Sequence, residues 1–316
     1  MKKLGIIGLD TSHAVQFTRS LNQDHPPAEF AGFRVTAAVA EGSREIESSR
    51  SRIAAYSELV RAMGVELVAD VDALVQRVDA VLLETNDGRP HLRQLLPVLR
   101  AGKPAFIDKP VAASLADVLV IYQLAAHYRV PIFSSSALRF VPELAGIRAG
   151  ELGEIQGCDT FSPCPLEATH PDLFWYGIHG VELLHTLMGP GCLSVSRTHT
   201  TRCDFVTGVW PEGRIGTFRG RRDAAGNYQS GFGGTVYGSL GIRTVGRFLG
   251  YELLLREICR FFRTGLPPVT PAETEEIYLF MEAADESRSR KGASVLLAEV
   301  RERAELTSRT RFHSYL

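Results

Sequence analysis

Gly5-Ile6-Ile7-Gly8-Leu9-Asp10-Thr11-Ser12-His13-Ala14 is the stretch on which the reading of this chain turns. A short apolar run passes through a glycine into residues that start a helix. This is the order of a strand, a tight turn and a helix whose N-terminus can hold phosphate. Only Gly8, the first glycine of a GxGxxG turn, is in place. Asp10 stands where a second glycine lets backbone approach a diphosphate, and His13 where a third packs helix on strand. A carboxylate there repels a diphosphate unless it turns away to accept backbone N–H bonds at the helix start. Two readings stay open. Asp10, Thr11 and Ser12 are capping residues only, or Thr11, Ser12 and the free N–H groups of the helix start bind phosphate.

Outward from this turn, β-branched and aliphatic runs recur at 3–8, 34–40, 65–69, 80–84, 105–107 and 130–134. Segments 51–63, 91–101 and 114–128 between them carry helical patterning. Buried strands alternating with amphipathic helices predict an α/β fold with a parallel sheet, and right-handed crossovers make it a doubly wound, Rossmann-type one. The second strand ends in Val39-Ala40-Glu41-Gly42-Ser43-Arg44. Glu41 suits an adenosine ribose hydroxyl and so NAD, whereas Ser43 and Arg44 suit a 2′-phosphate and so NADP. All three also suit a solvated turn, so the preference between cofactors stays open.

After residue 138 the rhythm changes, which divides the chain into expected domains at 1–137 and 138–316. A helix is predicted over 175–188, stopped by Gly189-Pro190-Gly191. Strands at 193–201, 203–209, 214–221 and 234–240 alternate weakly, as in an open antiparallel or mixed sheet. Two helices close the chain. Tyr251, Leu254, Leu255, Ile258 and Phe262 form one apolar stripe, with Gly265 as its stop. Thr270-Pro271-Ala272-Glu273 starts the other as a capping box, and Ile277, Phe280, Met281 and Ala284 are its stripe.

Bulk composition narrows the function. Hydrophobic residues at 45% and charged ones at 22% describe a globular chain. With 35 basic and 36 acidic side chains and no block of one sign, nothing suggests a nucleic-acid or membrane partner. The apolar run at the start is too short for a signal peptide. Five cysteines without a CxxC pair read as reduced thiols, so a cytoplasmic location is expected.

Ala101-Gly102-Lys103-Pro104-Ala105-Phe106-Ile107-Asp108-Lys109-Pro110 resembles the AGK-x-V-x-x-EKP signature of the glucose–fructose oxidoreductase / inositol dehydrogenase (Gfo/Idh/MocA) family, with Asp108 for its Glu. Thr85-Asn86 with His91 is similar to its TPN-x-x-H strand end, one residue longer and without the proline. Leu138-Arg139-Phe140-Val141-Pro142, then Gly150–Ile155, resembles its RF-x-P…GELGEI passage. Thr264–Val269 and the helix ending at Ser287 are similar to its C-terminal segment. The resemblance implies a Rossmann domain, a C-terminal α/β domain that binds substrate, and homo-oligomerisation through that domain's open sheet. It also implies NAD(P)-dependent hydride transfer on a small carbohydrate, polyol or related hydroxyl compound. Gly8, Asp10, Thr11, Ser12, His13, Glu41, Ser43, Arg44, Thr85, Asn86, His91 and Asp108 are the expected cofactor-binding positions.

Lys109 is the first catalytic candidate. It follows a buried strand at the carboxyl edge of the sheet, and Pro110 restricts its backbone. An ammonium there can stabilise a developing alkoxide. His179 is the second, in a passage that resembles the family's D-x-x-x-H-x-x-D motif. Glu182 fits its last acid, but Trp175 replaces its first. On a helix, His179 shares a face with Glu182, which can then orient the imidazole. Arg139, Trp175 and Tyr176 are expected to bind substrate, with packing of the domain interface as the other reading of the two rings, and the exchange at Trp175 points to a shortened proton relay or a more apolar ligand. His185 lies on the apolar stripe and reads as core. No metal site is expected, because His179 and His185 lie about 120° apart around the helix and the thiols lack ligand spacing.

Three functions fit these residues: a dehydrogenase, a carbohydrate-binding or regulatory relative without catalysis, and a redox-neutral enzyme holding NAD tightly. Asp10, His13 and Trp175 motivate the second; Lys109 with His179 motivates the first.

Overall fold

The computed structural model describes residues 1–316 and arranges the strands in two sheets. The first comprises β1 (Lys2–Ile7), β2 (Phe33–Val39), β3 (Glu66–Leu67), β4 (Ala80–Leu83), β5 (Ala105–Ile107) and β6 (Ile132–Phe133). Every pairing is parallel, and the order is β3-β2-β1-β4-β5-β6. This is the doubly wound Rossmann-type sheet. β4 and β5 are buried along their whole length, which is why they read as unbroken aliphatic runs. Strand order reverses between β1 and β4, so a ligand crevice opens beyond their carboxyl ends.

The second sheet comprises β7 (Ile155–Pro163), β8 (Ser194–His199), β9 (Cys203–Val209), β10 (Ile215–Arg221), β11 (Gly233–Gly238), β12 (Gly241–Val245) and β13 (Val295–Leu296). Its order is β12-β11-β7-β10-β9-β8-β13, and only β7 and β10 pair in parallel. One face is covered by the helices Ile178–Met188 and Pro271–Ser289. The other is open, with Ile215 and Tyr237 exposed on it.

β7, at the centre of this sheet, has no counterpart among the strands expected from sequence. Its covered face carries Cys158, Thr160 and Ser162, too small and polar to signal a buried strand. The reason is the close approach of the helix above. Thr160 Oγ1 donates to the Gly180 carbonyl at 3.1 Å, and a Cβ on Gly180 would stand 2.4 Å from the Phe218 ring.

The single helix expected over 175–188 is two: Asp172–Trp175 and Ile178–Met188. Tyr176 leaves helical geometry at φ −136°, and Gly177 fits beneath Cys164 and Leu173 with no room for a side chain. A third closing helix, Leu297–His313, was also not expected. Its buried stripe is thin, consisting of Leu297, Val300, Ala304 and Ser308. The Thr270–Glu273 capping box and the left-handed stop at Gly265 form as read.

Helix Glu252–Thr264 packs not on the second sheet but on the first. Its Leu254, Leu255, Ile258 and Phe261 share a core with Leu4, Ile6, Phe106 and Phe133. The Phe133 and Phe261 rings meet edge to face at 5.0 Å. A larger core runs continuously from helix Leu115–Tyr128 to the helices of the second sheet. No helix is long and apolar enough to cross a membrane, and the five cysteines are unpaired.

One bond carries this packing directly to the crevice. Tyr278, fully enclosed on helix Pro271–Ser289, accepts the Val111 N–H at 2.5 Å, two residues beyond Lys109. Tyr278→Phe leaves that buried donor unpaired and should lower the unfolding free energy by about 1–3 kcal/mol. Denaturant unfolding against the wild type measures it.

Candidate active site

The crevice encloses a cavity of about 550 Å³. One wall comes from the first sheet: Thr11, Ser12, His13, Asn86, Asp108 and Lys109. The facing wall includes Ser135, Ser136, Trp175, Tyr176 and His179. Tyr228, Phe232, Phe248 and Tyr251 complete it with four further rings.

The turn after β1 departs from the capping reading. Gly8 adopts φ +93°, and a Cβ on it would stand 2.4 Å from the Thr85 backbone nitrogen. The glycine is therefore required by the approach of β4. Asp10 does turn away, but not to cap the helix. Its carboxylate is fully buried and accepts from Ser49 Oγ at 2.6 Å and Asn86 N–H at 3.0 Å. Burial pushes its pKa up to about 6, against the pull of these bonds. The cap residue is Thr11, which makes no side-chain bond to helix Ser12–Asn22. The first-turn N–H groups therefore lack side-chain capping beside Thr11, Ser12, Ser48 and Arg52 of the cavity wall.

These features fit an anionic cofactor. A helix start without a side-chain cap, an arginine and two serines offer donors to a diphosphate. Thr85 Oγ1 and Asn86 Oδ1 are buried at the end of β4 without any hydrogen-bond partner, as polar atoms awaiting a ligand would be.

Lys109 donates its backbone N–H to Asp108 Oδ1 at 2.8 Å, and its ammonium sits over the Tyr176 ring, 5.4 Å from the centroid. Burial raises the Asp108 carboxyl, but His13 and Lys109 outweigh it and hold Asp108 low. The edge of Tyr176 in turn meets His179, with ring centres 5.0 Å apart. His179 Nδ1 lies 2.8 Å from Ser136 Oγ. Enclosure, reinforced by the charge of Lys109, pushes the His179 pKa well below its usual value, so the imidazole is neutral.

Several expected roles change. Glu182 does not reach His179: its carboxylate accepts from Ser135 Oγ at 2.6 Å, Ser136 N–H at 2.8 Å and Arg139 Nε at 2.9 Å. Ser136 makes the contact to the imidazole, and Glu182 acts behind it. Arg139, expected to bind substrate, is only 4% exposed and is paired with Glu182 and Glu273 outside the cavity. His91, expected to bind cofactor, is fully buried between the Thr85 and Val111 carbonyls, at 2.7 and 3.1 Å. It fastens the ends of two segments rather than touching a ligand.

Glu41, Ser43 and Arg44 lie beyond β2, outside the cavity. Glu41 accepts from Gln94 Nε2 at 2.6 Å, Ser43 donates its N–H to Ser49 Oγ at 2.7 Å, and Arg44 is exposed. Of the expected positions, Thr11, Ser12, His13, Asn86, Asp108, Lys109, Trp175, Tyr176 and His179 do come together.

Ser136, Arg52 and the rings at 228–251 escaped sequence reading. Ser136 sits in a plain run, Ser134-Ser135-Ser136, without the flanking glycines of a nucleophile elbow. Nothing in its spacing announces a partner 43 residues away.

Residues 2–135 match the family described as "Oxidoreductase family, NAD-binding Rossmann fold" (Gfo/Idh/MocA). The match covers the residues that build the first sheet, β1 to β6. Solved structures match almost end to end. A probable dehydrogenase from Thermotoga maritima is 19% identical with a TM-score of 0.76, covering 94% of this chain and 99% of that one. Scyllo-inositol dehydrogenase from Lactobacillus casei, with bound NAD(H) and scyllo-inositol, is 16% identical at a TM-score of 0.74, covering 94% and 99%. Myo-inositol dehydrogenase from the same organism, in complex with NAD(H) and myo-inositol, is 17% identical at 0.72, covering 94% and 96%. At these identities the likeness establishes the fold. No curated protein matches the chain in sequence.

Removing the carboxylate behind Ser136 and removing Ser136 itself should differ sharply. Glu182→Ala strips a buried guanidinium of its enclosed partner and should cost about 3–5 kcal/mol of stability. Ser136→Ala loses the hydroxyl's bonds to His179 Nδ1 and the Leu138 N–H and should cost about 0.5–1.5 kcal/mol for each. Chemical unfolding of both variants distinguishes the two roles.

Proposed function

We propose that this chain, whose residues 2–135 match the Gfo/Idh/MocA oxidoreductases with their NAD-binding Rossmann fold, is a dehydrogenase of ring hydroxyls on a polyol or sugar. The observation that carries this reading is the pairing of Lys109 and His179 on opposite walls of one cavity, with Tyr176 between them. That cavity lies at the reversal point of a parallel sheet, where dinucleotides bind. The bound NAD(H) and inositols of the two Lactobacillus casei neighbours support the substrate class.

Nicotinamide, when bound, supplies the hydride acceptor. Everything else falls to side chains. With His179 Nδ1 engaged by Ser136, Nε2 is the ring nitrogen left to take the hydroxyl proton. Its neutral state suits a base. The Lys109 ammonium stabilises negative charge developing on the same oxygen, more strongly in a cavity walled by rings than in water. Trp175 cannot pass the proton on, so the relay ends at His179 and Ser136.

For the cofactor we favour NAD over NADP. The Glu41 carboxylate is held at the end of β2 by Gln94 and Arg93, where it repels a 2′-phosphate. Residues 1–137 would carry the cofactor and 138–316 the substrate wall.

Fluorescence titration should show NAD(H) binding at least about tenfold more tightly than NADP(H), a difference of about 1.4 kcal/mol. Lys109→Ala and His179→Ala should each lower kcat for polyol oxidation by about 10²–10⁴-fold while still binding NAD(H). Absence of saturable binding by either dinucleotide would remove the reading.

A further inference from the structure

Three side chains from three strand ends converge at the floor of the crevice, and the proposed hydride transfer uses none of them. His13 follows β1, Glu84 follows β4, and Asp108 follows β5. One ligand atom from each lies within 4.8 Å of the other two. His13 Nδ1 is 2.9 Å from Asp108 Oδ2 and 3.7 Å from Glu84 Oε2.

Glu84 is the telling member. It is 0% exposed, one of its oxygens faces His13, and neither oxygen has a hydrogen-bond partner. A buried carboxyl in that state is costly, and native proteins pair such groups or place them on metals. The neighbouring lysine does not answer it. Lys109 forms no ion pair with Glu84 or Asp108, and its ammonium lies over Tyr176 instead. Asp108 spends Oδ1 on the Lys109 N–H and keeps Oδ2 turned toward the cluster. His13 Nδ1, although close to Oδ2, is not in hydrogen-bonding alignment with it.

We propose that His13, Glu84 and Asp108 form a binding site for a divalent first-row transition ion, zinc or manganese. One imidazole nitrogen and two carboxylate oxygens are a donor set for such ions, and their separations admit metal bonds of about 2.0–2.2 Å after small side-chain shifts. His13 and Asp108 line the cavity, so an ion has an entry path and keeps open positions toward it. A water or a substrate hydroxyl would fill those positions. Ligands drawn from three strand ends have no characteristic spacing along the chain, which is why a search of the sequence for metal motifs passes over them.

The test uses the full-length protein, stripped with a chelator, desalted, and titrated calorimetrically with zinc chloride and with manganese chloride. Elemental analysis after a second desalting counts the ions retained. The expected result is one ion per chain, bound at micromolar concentration or tighter. Glu84→Gln, which preserves shape, should weaken binding by at least about 100-fold, beyond the loss expected from an outer-sphere partner. His13→Gln provides the second variant, and circular dichroism establishes that both are folded. No saturable binding of either ion below millimolar concentration would overturn the proposal. So would binding that both folded variants leave unchanged.

Discussion

Glu182 projects from helix Ile178–Met188 with its carboxylate among three donors: the Ser135 hydroxyl, the Ser136 N–H and the Arg139 guanidinium. All three belong to the segment that leaves the last strand of the first sheet. Burying a carboxylate and a guanidinium costs several kcal/mol per ion before their attraction is counted. The cost is offset only while the geometry holds, so the contact resists sliding of helix Ile178–Met188 past the first sheet. Arg139 extends the constraint to Glu273 in the capping box of helix Pro271–Ser289. Tyr278 of that helix then reaches Val111, beside Lys109. Polar contacts joined through helix Pro271–Ser289 thus lead from the imidazole to the backbone beside Lys109.

A second contact fastens the crevice from its far side. His170 Nε2 accepts the Gly88 N–H at 3.2 Å, joining the segment before Trp175 to the loop after β4. Burial brings its pKa down to about 4, which keeps the ring neutral and able to accept. Between these two fastenings the cavity is chemically lopsided. Lys109, Asp108 and Asn86 stand on the side of the first sheet, and six aromatic rings line much of the remainder. A ring substrate with hydroxyls on one edge and C–H groups on its face suits such walls, since aromatic faces accept apolar surface without needing hydrogen bonds. Trp175, where the family resemblance has an acid, belongs to this apolar side.

Much of the fold was legible because it rests on local patterns. The parallel sheet announced itself through β4 and β5, whose residues are buried on both faces and so are uniformly aliphatic. The Thr270–Glu273 cap and the Gly265 stop are short-range backbone chemistry, and short-range chemistry is written in consecutive residues. β7 was hidden for the opposite reason. Its small polar residues make sense only beneath a helix that approaches at Gly180, and that approach is a property of the assembled protein.

The candidate site divides in the same way. Lys109, Asp108, His179, Trp175 and the Thr11–His13 turn could be named from sequence, because motif spacing and strand ends mark where chemistry is exposed. Which groups touch could not. Ser136 rather than Glu182 meets His179, His91 and Arg139 are fasteners rather than ligand contacts, and Asp10 is drawn to Ser49. Sequence by itself determined the architecture and the chemical inventory, since burial periodicity and turn chemistry act over a few residues. The tertiary structure alone decided the partners, since a hydrogen bond depends on ångström-scale placement of groups tens of residues apart.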